Sequence, residues 1–212
     1  MRNYYPRKYK RPSSKNATLP LKNRNDINII LNYWLQKREH SKSEVKRFQA
    51  HRNYMICLLG FNTAFRCEDL VQLYGKDVSK GFINIIEFKT GKSQVFKLNK
   101  KLYIEIIDYI TEYNIKDYDY LFPIKPHGTK PITRQRVDDI LKEMSKDIKL
   151  NRPFSAHSMR KTFAYHKYVE TGDIYKVQRM LNHRDPSTTL LYICWDSTGS
   201  EIEREQTYFG LI

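Results

Sequence analysis

Cysteine is scarce in this chain, and its placement gives no metal site. Cys57, Cys67 and Cys194 stand apart with no CxxC spacing, which favours a reducing, intracellular setting. Long apolar runs are missing too, since a bilayer span needs about 18 such residues in a row. The N-terminus, MRNYYPRKYKRPSSKN, is basic without an apolar core and is no secretory signal. There is no HExxH and no carboxylate cluster of the kind that holds two metals in nucleases. Gly91-Lys92-Ser93 resembles the end of a phosphate-binding loop, but that pattern needs a glycine where Ile86 stands. No internal repeat is present. These absences argue against membrane, disulfide-framework, zinc-protease, P-loop and solenoid classes.

What is present in excess is positive charge. Lys and Arg number 38 against 23 Asp and Glu, a formal charge of +15 in 212 residues. Such an excess repels itself in a compact chain and points to a polyanionic partner, nucleic acid first, with a merely basic surface as the plainer reading. At 40% hydrophobic residues the chain is globular and long enough for one substantial domain.

Residues 1–20 read as a basic, poorly ordered arm. Helical periodicity begins at Asn25, with Ile27, Ile30, Leu31, Trp34 and Leu35 on one stripe. A second helix is expected from Ser43 to a stop at Gly60, and a short third in CEDLVQLY ending near Gly75. Residues 82–98 change period and predict two strands around Lys89-Thr90-Gly91-Lys92. Helices are then expected at 102–113, 134–148, 157–170, 173–181, 186–195 and 200–207, with a proline-punctuated loop LFPIKPHGTKP after the first of them. The fold class is mainly α with a small antiparallel β-sheet (α+β).

Chemistry concentrates in a few segments. His157 and Arg160 in HSMR share a helix face. Imidazole moves protons near neutral pH, and guanidinium grips phosphate through a planar fork. Alone, such a pair is also an ordinary surface contact. In LNHRDPSTTLLY, His183 precedes Tyr192 by nine residues, and Asp185-Pro186-Ser187 has the makings of a helix start. Upstream, Arg66 sits among Phe61, Ala64 and Phe65, with Asp69 three residues on as a partner for its charge.

In this order, A-F-R-x-x-D-L, a hairpin lysine, H-x-x-R, L-N-H and then Tyr resemble the catalytic domain of the tyrosine recombinases, the phage integrase family, over about residues 25–195. The resemblance implies that Arg66 and Arg160 clamp the scissile phosphate. It implies that His157 assists proton removal, that His183 contacts the same phosphate, and that Tyr192 is the nucleophile. Lys89 would protonate the departing oxygen, with Lys92 the second choice, and Asp69 would support the pocket. Two guanidiniums and a histidine are expected to favour the Tyr192 phenolate. The resemblance implies no metal and no ATP. It also implies double-stranded DNA as partner, a homotetramer on DNA, accessory DNA-bending proteins, and a prokaryotic cytoplasmic, nucleoid-associated setting.

PITRQRVDDILKEMSK predicts a helix capped by Thr133. In related recombinases the equivalent helix enters the major groove, which makes Arg134, Gln135 and Arg136 candidate base contacts, while Lys161 beside HSMR is a candidate phosphate contact. Only an arm and one or two helices precede Arg66, which resembles the minimal Fim-type invertases or a short mobile-element integrase. Residues 196–212 are expected either to pack on a neighbouring protomer or to close the chain's own core. A type IB topoisomerase-like enzyme and a DNA-binding regulator without catalysis are the alternatives.

Overall fold

The computed structural model describes residues 18–89 and 91–193. Helices α1 (Arg24–Glu39) and α2 (Glu44–Thr63) pair first. Asn23 caps α1 by accepting from Asn25 N–H at 2.9 Å, and Asp26 adds an acidic group to its first turn. Nearly every residue of α2 from Phe48 to Phe61 is buried. This helix is covered on all sides by α1, α4 (Lys100–Glu112) and α6 (Ala156–Thr171), so it carries no polar stripe.

Gly60 does not end α2. The helix runs three residues further, to Thr63. A Cβ at Gly60 would lie 2.9 Å from Met159 Sδ and Cε, so glycine is there to let α2 and α6 approach. The turn out of α2 is instead made by Ala64, in the left-handed region at φ 57°. The short α3 (Cys67–Val71) stops earlier than its apolar pattern suggests. A 3-10 turn (Gly75–Asp77) follows, then an unexpected strand β1 (Val78–Ser79).

The sheet therefore has three antiparallel strands where two were expected, in the order β1, β2 (Phe82–Ile86), β3 (Ser93–Lys97). Ile83 and Ile85 face the core, and Asn84 pairs with Val95. Helices α4 and α5 (Arg134–Asp147) fall close to expectation because each has one strongly apolar face. Thr133 caps α5 by accepting from Arg136 N–H at 3.2 Å. Next come α7 (Ile174–Leu181), capped by Asp173, and α8 (Pro186–Tyr192). At the start of α8, Asp185 accepts from Ser187 N–H at 2.9 Å.

The main core spans α1 to α6, and a second cluster gathers Ala64, Phe163, Ala164, Val177, Leu181 and Ile193. Thr18–Pro20, expected in the arm, lie against α6. Lys161 Nζ donates to Thr18 O at 2.7 Å, and fully buried Leu21 takes Thr162 Oγ1 as partner for its N–H at 2.9 Å. The rest of the arm, Cys194 and the expected helix at 200–207 lie outside the described residues.

Candidate active site

The pocket forms where the two core clusters meet. Arg66 stands at the N-terminus of α3, held by the αL turn at Ala64. Its Nη1 lies 2.9 Å from Glu87 Oε2 and 4.0 Å from Asp69 Oδ2. The Glu87 approach is an ion pair without an aligned hydrogen bond. Nη1 is buried with no acceptor lined up among the described residues, which leaves a donor to be satisfied. Asp69 is buried and accepts from Phe88 N–H at 2.8 Å, tying the β2–β3 hairpin to α3. Burial raises the Asp69 pKa, against the opposing pull of that hydrogen bond and of Arg66.

Arg160 comes from the first turns of α6 and is only 6% exposed. It donates from Nη1 to Ala64 O and from Nη2 to Leu181 O at 2.6 Å. One guanidinium thereby joins the end of α2 to the end of α7. Desolvation lowers its pKa, and Tyr192 is the strongest influence the other way. Even lowered, a guanidinium remains charged at neutral pH.

Tyr192 ends α8. Its Oη is 3.3 Å from His157 Nδ1, and its ring stands edge-on to His157 at 4.9 Å and to His183 at 5.1 Å. His183 Nδ1 is 3.0 Å from Thr189 Oγ1, which fixes the ring against α8. Desolvation pushes the phenol up to about 12, while Arg160 and then Arg66 pull it down. The guanidiniums act in the direction expected, and burial, which the sequence does not record, acts against them. In the pocket as it stands, burial outweighs the guanidiniums, and the phenol keeps its proton at neutral pH.

Both histidines are held down, to about 4. For His157 the causes are desolvation and then Lys161, Arg160 and Arg134. For His183 they are desolvation, Arg160 and Arg66. Each is a neutral imidazole at pH 7, able to accept a proton.

These contacts gather five of the sequence-predicted side chains, Arg66, His157, Arg160, His183 and Tyr192, around one cleft. The phage integrase family profile matches residues 38–197. The chain belongs to the phage integrase family. Among its relatives is a probable integrase/recombinase, YoeC, of Bacillus subtilis, 36% identical over 154 residues, which cover 71% of this chain and 83% of YoeC. The tyrosine recombinase XerD of Halalkalibacterium halodurans is 28% identical over 148 residues, covering 66% of this chain and 48% of XerD. The chain thus spans about half the length of that relative. Solved structures with the same fold include XerA recombinase, with a TM-score of 0.68 at 18% identity over 90% of this chain and 66% of that one. XerH bound to a palindromic difH substrate, a post-cleavage complex, gives 0.68 at 21% over 92% of this chain and 55% of that one.

The remaining predicted residues of this integrase-family chain sit less centrally. Lys89 is exposed beside the hairpin turn, with no hydrogen bond or ion pair among the described residues. Lys92 Nζ is 3.5 Å from Asn182 Oδ1, next to His183. Lys161, expected at a phosphate, is buried, and besides its bond to Thr18 it lies 5.5 Å over the Tyr192 ring. Arg134 is 60% exposed and pairs with Glu68 at 2.6 Å, while Gln135 donates to Asp139 at 3.0 Å. Arg136 is exposed in the first turn of α5.

Glu87 was missed. Its only sequence signal was a carboxylate on the inward parity of β2, in phase with Ile83 and Ile85. Among the described residues no group of three or more His, Cys, Asp or Glu side chains is placed to hold a metal, and no helix is long and apolar enough to cross a membrane.

Proposed function

We propose that this chain is a site-specific DNA recombinase that breaks and rejoins strands through a covalent 3′-phosphotyrosyl intermediate. The supporting observation is the convergence on one hydroxyl: Tyr192 Oη lies 3.3 Å from a neutral imidazole and feels two guanidiniums, one with a donor unsatisfied among the described residues.

The scissile phosphate enters between Arg66 and Arg160, with His183 on the same phosphate. Tyr192 Oη attacks phosphorus, the Oη–P bond forms and the P–O5′ bond breaks. The phenol proton passes to His157 Nδ1, and the hairpin lysine, Lys89 first and Lys92 second, gives a proton to O5′. The guanidiniums offset the charge that builds on the five-coordinate phosphorus. The phosphotyrosyl bond keeps the energy of the phosphodiester, so rejoining needs no ATP. Attack by a positioned side chain with a general base and acid asks for no metal. Arg134, Gln135 and Arg136 face base edges once Arg134 leaves Glu68. The partner is double-stranded DNA, with a homotetramer joining two duplexes and accessory proteins bending them on the bacterial or phage nucleoid.

Nicked suicide duplexes built from inverted repeats beside the gene test this. Wild-type protein is expected to form a covalent adduct in EDTA, and Tyr192→Phe none. An adduct that survives the substitution removes Tyr192 from its role. Relaxation of plasmids lacking the repeats marks a topoisomerase instead.

A further inference from the structure

Glu87 is 4% exposed, yet it is a carboxylate in the wall of a pocket built for an anion. Its contacts reach three separate segments. Oε2 lies 2.9 Å from Arg66 Nη1 on α3 and accepts from Asn182 Nδ2 at 3.1 Å, in the turn between α7 and His183. Oε1 accepts from Gln94 Nε2 on β3 at 3.0 Å. Its backbone N–H donates to Lys92 O at 2.9 Å, and its carbonyl accepts from Gly91 N–H at 2.8 Å, closing the hairpin. Asn182 Oδ1 in turn faces Lys92 Nζ at 3.5 Å. One buried side chain therefore touches the arginine, the hairpin and the turn carrying a histidine.

A buried charge is costly unless paired. Here the pairing serves both sides. Arg66 and Arg160 carry like charges in one pocket and repel each other. The Glu87 carboxylate acts on both guanidiniums and removes the cost of keeping them close. A glutamine of the same shape would lose this counter-charge and would turn its NH2 towards a donor on one side, since both carboxylate oxygens accept.

We propose that Glu87 is a positioning residue of the phosphate pocket, fixing Arg66 and the Leu181–His183 turn in the arrangement that the transferring phosphate needs. The inference rests on the recombinase reading and adds a consequence to it. The carboxylate also cancels part of the charge that attracts an anion. Binding and cleavage are therefore coupled to Glu87 with opposite signs. Removing its charge strengthens anion capture and weakens alignment.

The test compares wild type, Glu87→Gln and Glu87→Asp for orthovanadate binding by calorimetry and for single-turnover adduct formation on saturating suicide duplex. Glu87→Gln is expected to bind vanadate about three- to tenfold tighter, one positive charge in the pocket being uncovered. Its adduct forms ~10–100-fold more slowly, the scale of a small misplacement of a reacting group. Glu87→Asp lies between in rate. In an Arg66→Ala background the Glu87→Gln effect on vanadate affinity shrinks to the part felt through Arg160, a coupling that a residue that only holds the fold would not show. Vanadate affinity and rate both unchanged, or both reduced in step with a drop in Tm, overturn the proposal. Wild-type protein that forms no adduct overturns the recombinase reading instead, and the vanadate comparison still decides whether Glu87 acts on Arg66.

Discussion

At the residue scale, the two hairpin lysines divide what one role requires. Lys89 is exposed and uncommitted among the described residues, while Lys92 is tied to Asn182 beside His183. An alkoxide leaving group needs a proton, whereas a thiolate, far less basic, does not. Lys89→Ala is expected to slow cleavage of an ordinary duplex by ~10²–10⁴-fold. The same variant is expected to cleave a duplex with sulfur at the bridging 5′ position at close to the wild-type rate. Rescue seen only in Lys92→Ala transfers the role to Lys92, and rescue in neither variant takes general-acid chemistry away from the hairpin. The choice stayed open in the sequence because two lysines three apart flank one turn, and the turn's geometry decides which one reaches inward.

At the element scale, the site depends on how closely α2 meets α6. Gly60 lies against Met159, the neighbour of Arg160, and Arg160 reaches back to the carbonyl of Ala64 at the end of α2. A larger side chain at position 60 pushes on Met159 and shifts the arginine's anchor. Gly60→Val is expected to cost about 1–3 kcal/mol through overpacking, lowering Tm by roughly 2–12 °C for a chain of this size. Adduct formation is expected to fall further than stability accounts for, measured well below Tm. Unchanged Tm and rate together show that Met159 gives way freely and that the close approach has no bearing on the site. The apolar stripes of α4 and α5 were legible, since each has one wet face. The end of α2 was not, because a glycine in a buried helix looks the same whether it stops the helix or admits a neighbour.

At the scale of the whole molecule, charge and protonation act together. On the proposed reading, the net charge of +15 is expected to make DNA affinity fall steeply with salt. His157 and His183 are held at about 4, so both are neutral near pH 6. A phosphate beside them raises their pKa, the complex holds more protons than its parts, and affinity grows as pH falls from about 7 towards 5.5. The expected signature at pH 6 is a binding enthalpy that changes with the buffer's ionisation enthalpy, reduced in His157→Gln. Buffer-independent enthalpy contradicts it. Folding responds with the opposite sign. His51, buried near Glu112 at 3.2 Å, is also held at about 4, chiefly by desolvation. The unfolded chain, with histidines near 6.5, takes up more protons between those values. Stability is therefore complete above about 6.5 and declines as pH falls towards 4.

The sequence alone determined the class of the fold and the order of the helices, which are matters of periodicity and survive without knowledge of any neighbour. Through its resemblance to a family it also singled out Arg66, His157, Arg160, His183 and Tyr192 as candidates, which the structure brings around one cleft. Tertiary structure decided the third strand, the close contact at Gly60, the place of Glu87, the burial of Lys161 and the balance at Tyr192 between burial and the guanidiniums. Each of these depends on which surfaces meet. Desolvation and ion pairing arise between segments far apart in the chain, and no local pattern records them.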